Sequence, residues 1–141
     1  MSGYLLDTNC ISELVRPKPE PRVMEWMEAT DEALFHLSVL TLGEIRKGVA
    51  GLAQGRPRTR LEAWIDVELR ARFSGRILPV DSAIADRWGF LAAEAKRKGI
   101  VLPIIDGLLA ATAIHHNLTI VSRNSRDFTG AQVAVLNPWE L

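Results

Sequence analysis

Short apolar runs alternate with stretches of helical spacing along this chain, and that alternation limits the folds open to it. The runs are Tyr4 to Leu6, Leu34 to Ser38, Ile77 to Val80, Thr119 to Ser122 and Val133 to Leu136. Between them, apolar residues recur at helical intervals. Parallel strands need long crossover connections, and helices supply them. The chain is therefore expected to form an α/β fold, with a central parallel sheet of four to five strands flanked by helices and the last strand at an edge. A length of 141 residues suits one domain spanning residues 1–141.

The helices can be placed by their punctuation. One is expected from Asn9 to Val15, stopped by Pro17, Pro19 and Pro21, with Pro21 opening the next. Val23, Trp26 and Met27 share a face there. A third helix starts near Thr41, with Leu42, Ile45 and Val49 as its inner stripe and Glu44 on its first or second turn. Residues 51–60 resemble a linker, rich in Gly and basic residues, before a helix carrying Leu61, Trp64, Ile65, Leu69 and Phe73. Asp81 or Ser82 can cap a helix that runs to Lys98 and stops at Gly99. A last helix is expected from Asp106 to His116, ended by Asn117.

Composition removes several function classes. Hydrophobic residues make up 48% and charged residues 24%, an ordinary globular balance. The single cysteine, Cys10, has no internal partner, which fits a reducing, cytoplasmic setting and a structural thiol. The N-terminus lacks a basic segment leading into an apolar one, and no run of about 18 apolar residues exists, so neither secretion nor a membrane span is expected. Net charge is zero, so any nucleic-acid contact needs a local basic patch or a partner. His115 and His116 are neighbours on a helix, which points them apart, and His36 lies in a strand. No zinc spacing arises.

The acids carry the chemistry. Asp7 follows Leu5-Leu6 at the carboxyl end of the first strand, where ligands bind in open parallel sheets. Glu44 sits on an apolar background just after the second strand. Asp106 opens an apolar helix, and Asn124 and Asp127 follow the fourth strand. Each has a plain alternative as a helix cap or turn residue. Convergence of all of them on one sheet edge favours a shared site, because neighbouring carboxylates repel unless a cation or protons intervene. Oxygen ligands without His or Cys suit Mg²⁺ or Mn²⁺. Arg46, Lys47, Arg123 and Arg126 flank the acids and could hold a phosphate backbone. An aspartyl phosphotransferase also places an acid after strand one, but it needs a second acid where this chain has Asn9.

Three blocks occur in order. They are Leu5-Leu6-Asp7-Thr8-Asn9 with Ile11-Ser12-Glu13, then Ser38-Val39-Leu40-Thr41-Leu42-Gly43-Glu44-Ile45-Arg46-Lys47-Gly48, then Asp106-Gly107-Leu108-Leu109-Ala110-Ala111-Thr112-Ala113 leading to Val121-Ser122-Arg123-Asn124. With the closing Asn137-Pro138-Trp139, the chain resembles the PIN-domain ribonucleases, specifically the VapC toxins of type II toxin–antitoxin pairs and the similar FitB proteins. The resemblance implies a PIN fold paired into a homodimer, and Mg²⁺-dependent (or Mn²⁺-dependent) cleavage of RNA, with transfer RNA as one candidate. It also implies a cognate VapB- or FitA-like antitoxin that binds operator DNA.

Carried over by position, Asp7, Glu44 and Asp106 match the metal-site acids. Thr8 and Ser122 match hydroxyls that orient them. Arg46 and Arg123, which flank the acids, are the expected substrate contacts. The fourth acidic position falls on either Asn124 or Asp127, since family members carry an Asp at one or the other. The rival reading is a binding module that acts within an antitoxin–operator complex with little nuclease activity.

Overall fold

Leu5 and Leu6 are both almost wholly buried, yet successive strand residues point to opposite faces. Such a strand must lie between two cores. The computed structural model describes residues 3–141. It places β1 (Tyr4–Leu6) in the centre of a five-stranded sheet ordered β3-β2-β1-β4-β5. Leu5 packs into a cluster with Leu109, Ala113, Ile120 and Phe128. Leu6 packs into a second with Ile11, Leu37, Ile65, Phe73 and Trp139. Burying side chains of this size contributes roughly 1.5–3 kcal/mol each.

The strands are β2 (Phe35–Ser38), β3 (Ile77–Leu78), β4 (Thr119–Val121) and β5 (Val135–Leu136). Every pairing is parallel, with Tyr4 opposite Phe35 and Thr119, Leu37 opposite Ile77, and Val121 opposite Leu136. The expected fifth strand is present at an edge, and the parallel α/β architecture is the one expected. β3 has two residues instead of four, since Pro79 has no N–H for a further rung.

The connecting helices differ from expectation mainly at their ends. Helix α1 (Thr8–Glu13) starts directly after its cap, Asp7. Helix α2 (Pro21–Ala29) begins with Pro21 in its first turn, and Val23 and Met27 are its buried residues. Helix α3 (Val39–Ala50) starts two residues before Thr41, because the Ser38 hydroxyl accepts from the Leu40 N–H at 3.0 Å straight off the strand. That puts Glu44 on the second turn.

The linker-like stretch is shorter than expected. Gly55, at φ 153°, leads straight into α4 (Arg56–Ala63). The chain continues through wider π-type turns (Trp64–Leu69) into α5 (Arg70–Arg72). Ile65, Leu69 and Phe73 stay fully buried along it.

Helix α6 (Ser82–Arg97) is capped by Asp81, whose carboxylate accepts from the Ile84 N–H at 3.0 Å. Helix α7 (Ile104–His115) follows Pro103 immediately, so Asp106 lies inside its first turn and is not its cap. His116 lies just past the end of α7, where helical spacing no longer separates neighbours. Contrary to expectation, the two imidazoles do not point apart: they meet edge to face at 4.9 Å.

Candidate active site

β1 and β4 are adjacent and parallel, so the residues just past their ends meet. The Asp7 N–H donates to the Val121 carbonyl at 2.9 Å, which extends the ladder by one rung and fixes the Asp7 backbone. Its Oδ1 accepts from the Thr8 N–H at 2.8 Å, and its Oδ2 accepts from the Ser122 hydroxyl at 2.8 Å. Asp7 is therefore both a helix cap and a member of the acid set. Ser122 Oγ also accepts from Asn9 Nδ2 at 3.3 Å and from the Asn124 N–H at 3.1 Å. Two donors turn the serine's own proton toward Asp7.

Glu44 reaches the same place from α3. Its Oε1 accepts from the Thr8 hydroxyl at 2.7 Å. Asp106 arrives from the first turn of α7, where negative charge is favoured by the helix dipole. Among the described residues, no hydrogen bond donor holds its carboxylate. Asp127 follows in 3-10 turns spanning Ser125–Ala131, anchored by the buried side chains of Phe128 and Ala131.

Asp7, Glu44, Asp106, Asn124 and Asp127 all line one cleft of about 510 Å³. Burial raises the Asp7 carboxyl above its ordinary value, against the lowering pull of Ser122 and Thr8, and the charges of Glu44 and Asp127 add to the rise. Asp106 is pushed up to about 6, first by burial and then by repulsion from Asp127, Asp7 and Glu44. Asp127 thus acts electrostatically on both Asp7 and Asp106. Asn124 brings an uncharged side chain to the cleft, and its backbone N–H serves Ser122.

The donor set is hard oxygen under mutual repulsion, and a divalent cation relieves that repulsion. The residues present therefore fit a hard divalent cation. Among the described residues, no three His, Cys, Asp or Glu side chains close into a preformed cage. The acids interact across the cleft as separate groups.

The basic residues divide. Arg123 lines the cleft, whereas Arg46 is not among its lining residues and instead pairs its guanidinium with Asp66. Cys10 is buried beside Asp7 with its thiol donating to the Val121 carbonyl at 3.2 Å, and burial raises its pKa, so it is a packed, inert thiol. Sequence reasoning gave no role to Asn9, Ser12, Glu13, Arg16 and Trp139, all of which line the cleft. A helical signal existed for three of them: residues 9, 12 and 13 fall at i, i+3 and i+4, one face of α1. Arg16 lies past the end of α1, and Trp139, though part of the closing motif, is placed by the C-terminal turn (Pro138–Glu140) packing on α2.

Comparison with known proteins agrees with this geometry. Residues 4–132 match the model of the PIN domain. The toxin FitB of Neisseria gonorrhoeae is 40% identical over 135 residues, covering 96% of this chain and 97% of that protein. The VapC ribonuclease Y4jK of Sinorhizobium fredii is 35% identical over 136 residues, covering 96% of this chain and 97% of its own. A solved structure of FitAB bound to an IR36 DNA fragment superposes with a TM-score of 0.93 at 39% identity, covering 98% of this chain and 96% of that one. With the acid cleft at the carboxyl edge of a parallel sheet, these matches place the chain in the PIN-domain family, within the group that contains the FitB and VapC toxins.

Proposed function

We propose that this protein is the toxin of a type II toxin–antitoxin pair and acts as a metal-dependent ribonuclease. The observation that carries this reading is the convergence of Asp7, Glu44, Asp106 and Asp127 on one cleft. Asp7, Glu44 and Asp106 would hold a divalent cation, with Mg²⁺ the first choice and Mn²⁺ the alternative. When bound, such a cation supplies a water of lowered pKa and a counter-charge for the phosphate.

The chain's own residues prepare the cleft for it. Ser122 and the Thr8 N–H each occupy one lone pair of Asp7, leaving the others for the site. Thr8 holds one oxygen of Glu44 and leaves its second available. Asp127 supplies the fourth negative charge, and Asn124 serves through its backbone N–H. Arg123 is the basic contact for the substrate backbone.

The FitAB–DNA complex that the chain resembles supports an antitoxin of the FitA or VapB kind and operator DNA reached through it as partners. A second copy of this chain in a homodimer and a cytoplasmic setting belong to the same proposal. RNA is the substrate class, with transfer RNA among the candidates. Among the described residues, no helix is long and apolar enough to cross a membrane.

Induction of the chain followed by end-mapping of cellular RNA tests this, with Asp7→Asn as control. New 5′-phosphate ends and growth arrest, both lost in Asp7→Asn, are expected. Cleavage that survives in that variant or in excess EDTA overturns the nuclease reading. Tight antitoxin and operator binding without any metal-dependent cleavage would instead establish a binding module.

A further inference from the structure

Arg123 is held from three directions at the acid cleft. Its N–H donates to Asn9 Oδ1 at 3.2 Å, and its carbonyl accepts from Asn137 Nδ2 at 3.2 Å. Its guanidinium lies 5.7 Å from the centre of the Trp139 ring, within the range of cation–π attraction. Asn137 Oδ1 also accepts from the Trp139 N–H at 2.9 Å, so one amide fixes both members of the stack. Trp139 is only 8% exposed and belongs to the larger core cluster, so its ring is unavailable for stacking on a base. Among the described residues, Arg123 makes no close ion pair, and its charge is open to an anion.

Arg16 lines the same cleft with a side chain 58% exposed. Its guanidinium lies 3.3 Å from Glu13, whose carboxylate is 2% exposed and also accepts from the Glu20 N–H at 3.4 Å. The Glu20 carboxyl is held below its ordinary range first by Arg22, with Arg123 a smaller contributor. Arg16, Glu13 and Arg123 all line the cleft, and Glu20 is bonded through its N–H to Glu13 and feels the charge of Arg123. Two arginines at the cleft, neither paired with Asp7, Glu44, Asp106 or Asp127, suit a polyanion that passes over a cation site. Arginine recognises phosphate through its planar fork of donors.

We propose that Arg16 and Arg123 form a two-point clamp on RNA phosphates beside the one cleaved, and that Trp139 is the positioning residue for Arg123. The proposal rests on the ribonuclease reading for its substrate. Single-strand phosphate contacts release counterions, and each contributes about 0.7 to the slope of log affinity against log salt. The test is binding of a labelled single-stranded oligoribonucleotide to the full chain in EDTA over a NaCl series, so that cleavage does not interfere.

Arg16→Ala and Arg123→Ala should each reduce the slope by about 0.7, and together by about 1.4. Trp139→Leu keeps an apolar side chain but removes the ring face. It should raise Kd about three- to tenfold, as loss of a cation–π contact predicts. Trp139→Phe should restore it, and Trp139→Leu should add nothing in an Arg123→Ala background. In steady-state cleavage, Trp139→Leu should raise KM with kcat held within about twofold.

Wild-type protein that does not bind the probe overturns the clamp, as do unchanged slopes in the arginine variants. Additive effects of Trp139→Leu and Arg123→Ala overturn the positioning role. Binding with these slopes but no cleavage in Mg²⁺ or Mn²⁺ would sink the ribonuclease reading and leave the clamp standing. Cleavage with variant-insensitive binding would do the reverse.

Discussion

Thr8 ties together two acids that come from different elements. Its hydroxyl donates to Glu44 at 2.7 Å across 36 positions of sequence, while its N–H donates to Asp7 at 2.8 Å. Asp7 in turn receives the Ser122 hydroxyl from 115 positions away. The orientation of Asp7 and Glu44 therefore depends on two small hydroxyl residues.

Thr8→Val keeps the shape and removes the donor. Losing an orienting partner of a metal-site ligand typically lowers metal affinity or activity by about 10- to 100-fold. Cleavage rate should fall within that range in Thr8→Val. Its melting temperature should stay close to wild type, because Thr8 is only partly buried. A variant with full activity would show that Glu44 needs no such support.

Ser122→Ala removes a hydrogen bond that lowers the Asp7 pKa and leaves in place the burial that raises it. Asp7 should then hold its proton to higher pH. The acid limb of the pH–rate profile should move upward relative to wild type, and added metal should move it back. An unshifted limb would mean that Ser122 does not control Asp7.

Asp106 links pH to stability. Its carboxyl titrates near 3.8 when unfolded and at about 6 in the fold, so between these values the native state binds more protons. The favourable contribution is complete below the unfolded value and is lost as pH rises through about 6. Asp106→Asn should therefore melt above wild type at pH 7.5 without metal, and the gap should close toward acid pH. Discounted for its partial exposure to solvent, the effect is about 1 kcal/mol, or 2–4 °C. Saturating Mg²⁺ should favour wild type, and thermal melts at the two pH values with and without metal measure both.

Asp127 and Asn124 should behave differently in metal titration. Asp127→Asn removes the charge that acts on both Asp7 and Asp106, and should weaken Mn²⁺ binding about tenfold by calorimetry. Asn124→Ala keeps the backbone N–H that serves Ser122 and should change affinity by less than about twofold. The opposite ranking would assign the fourth position to Asn124.

Gly107 carries a steric prediction one residue from Asp106. A Cβ there would sit 2.9 Å from the Trp88 ring and 3.3 Å from Leu102. Gly107→Ala should force α7 away from α6, destabilise the protein by about 1–3 kcal/mol in urea unfolding, and lower activity by displacing Asp106.

Much of the fold could be read from the chain. The doubly buried Leu5-Leu6 pair, the proline that opens α2 and the alternation of strands with helices follow from local chemistry. Burial, dihedral limits and periodicity act over a few residues. The acids Asp7, Glu44 and Asp106 were legible for the same reason, since each follows or opens an apolar element. Helix ends were less legible, because caps such as Ser38 compete with strand pairing, and Pro103 starts α7 ahead of Asp106.

Ser122 and Asp127 stand out as site candidates in the sequence, but the diversion of Arg46 to Asp66, the Ser122 hydrogen bond to Asp7 itself and the contact of Arg123 with the Trp139 ring had no local signature. Such contacts, between residues from 16 to 115 positions apart, are set by how β1, β4, α3 and the C-terminal turn pack. A shift of about 1 Å in any of them is enough to break such a contact.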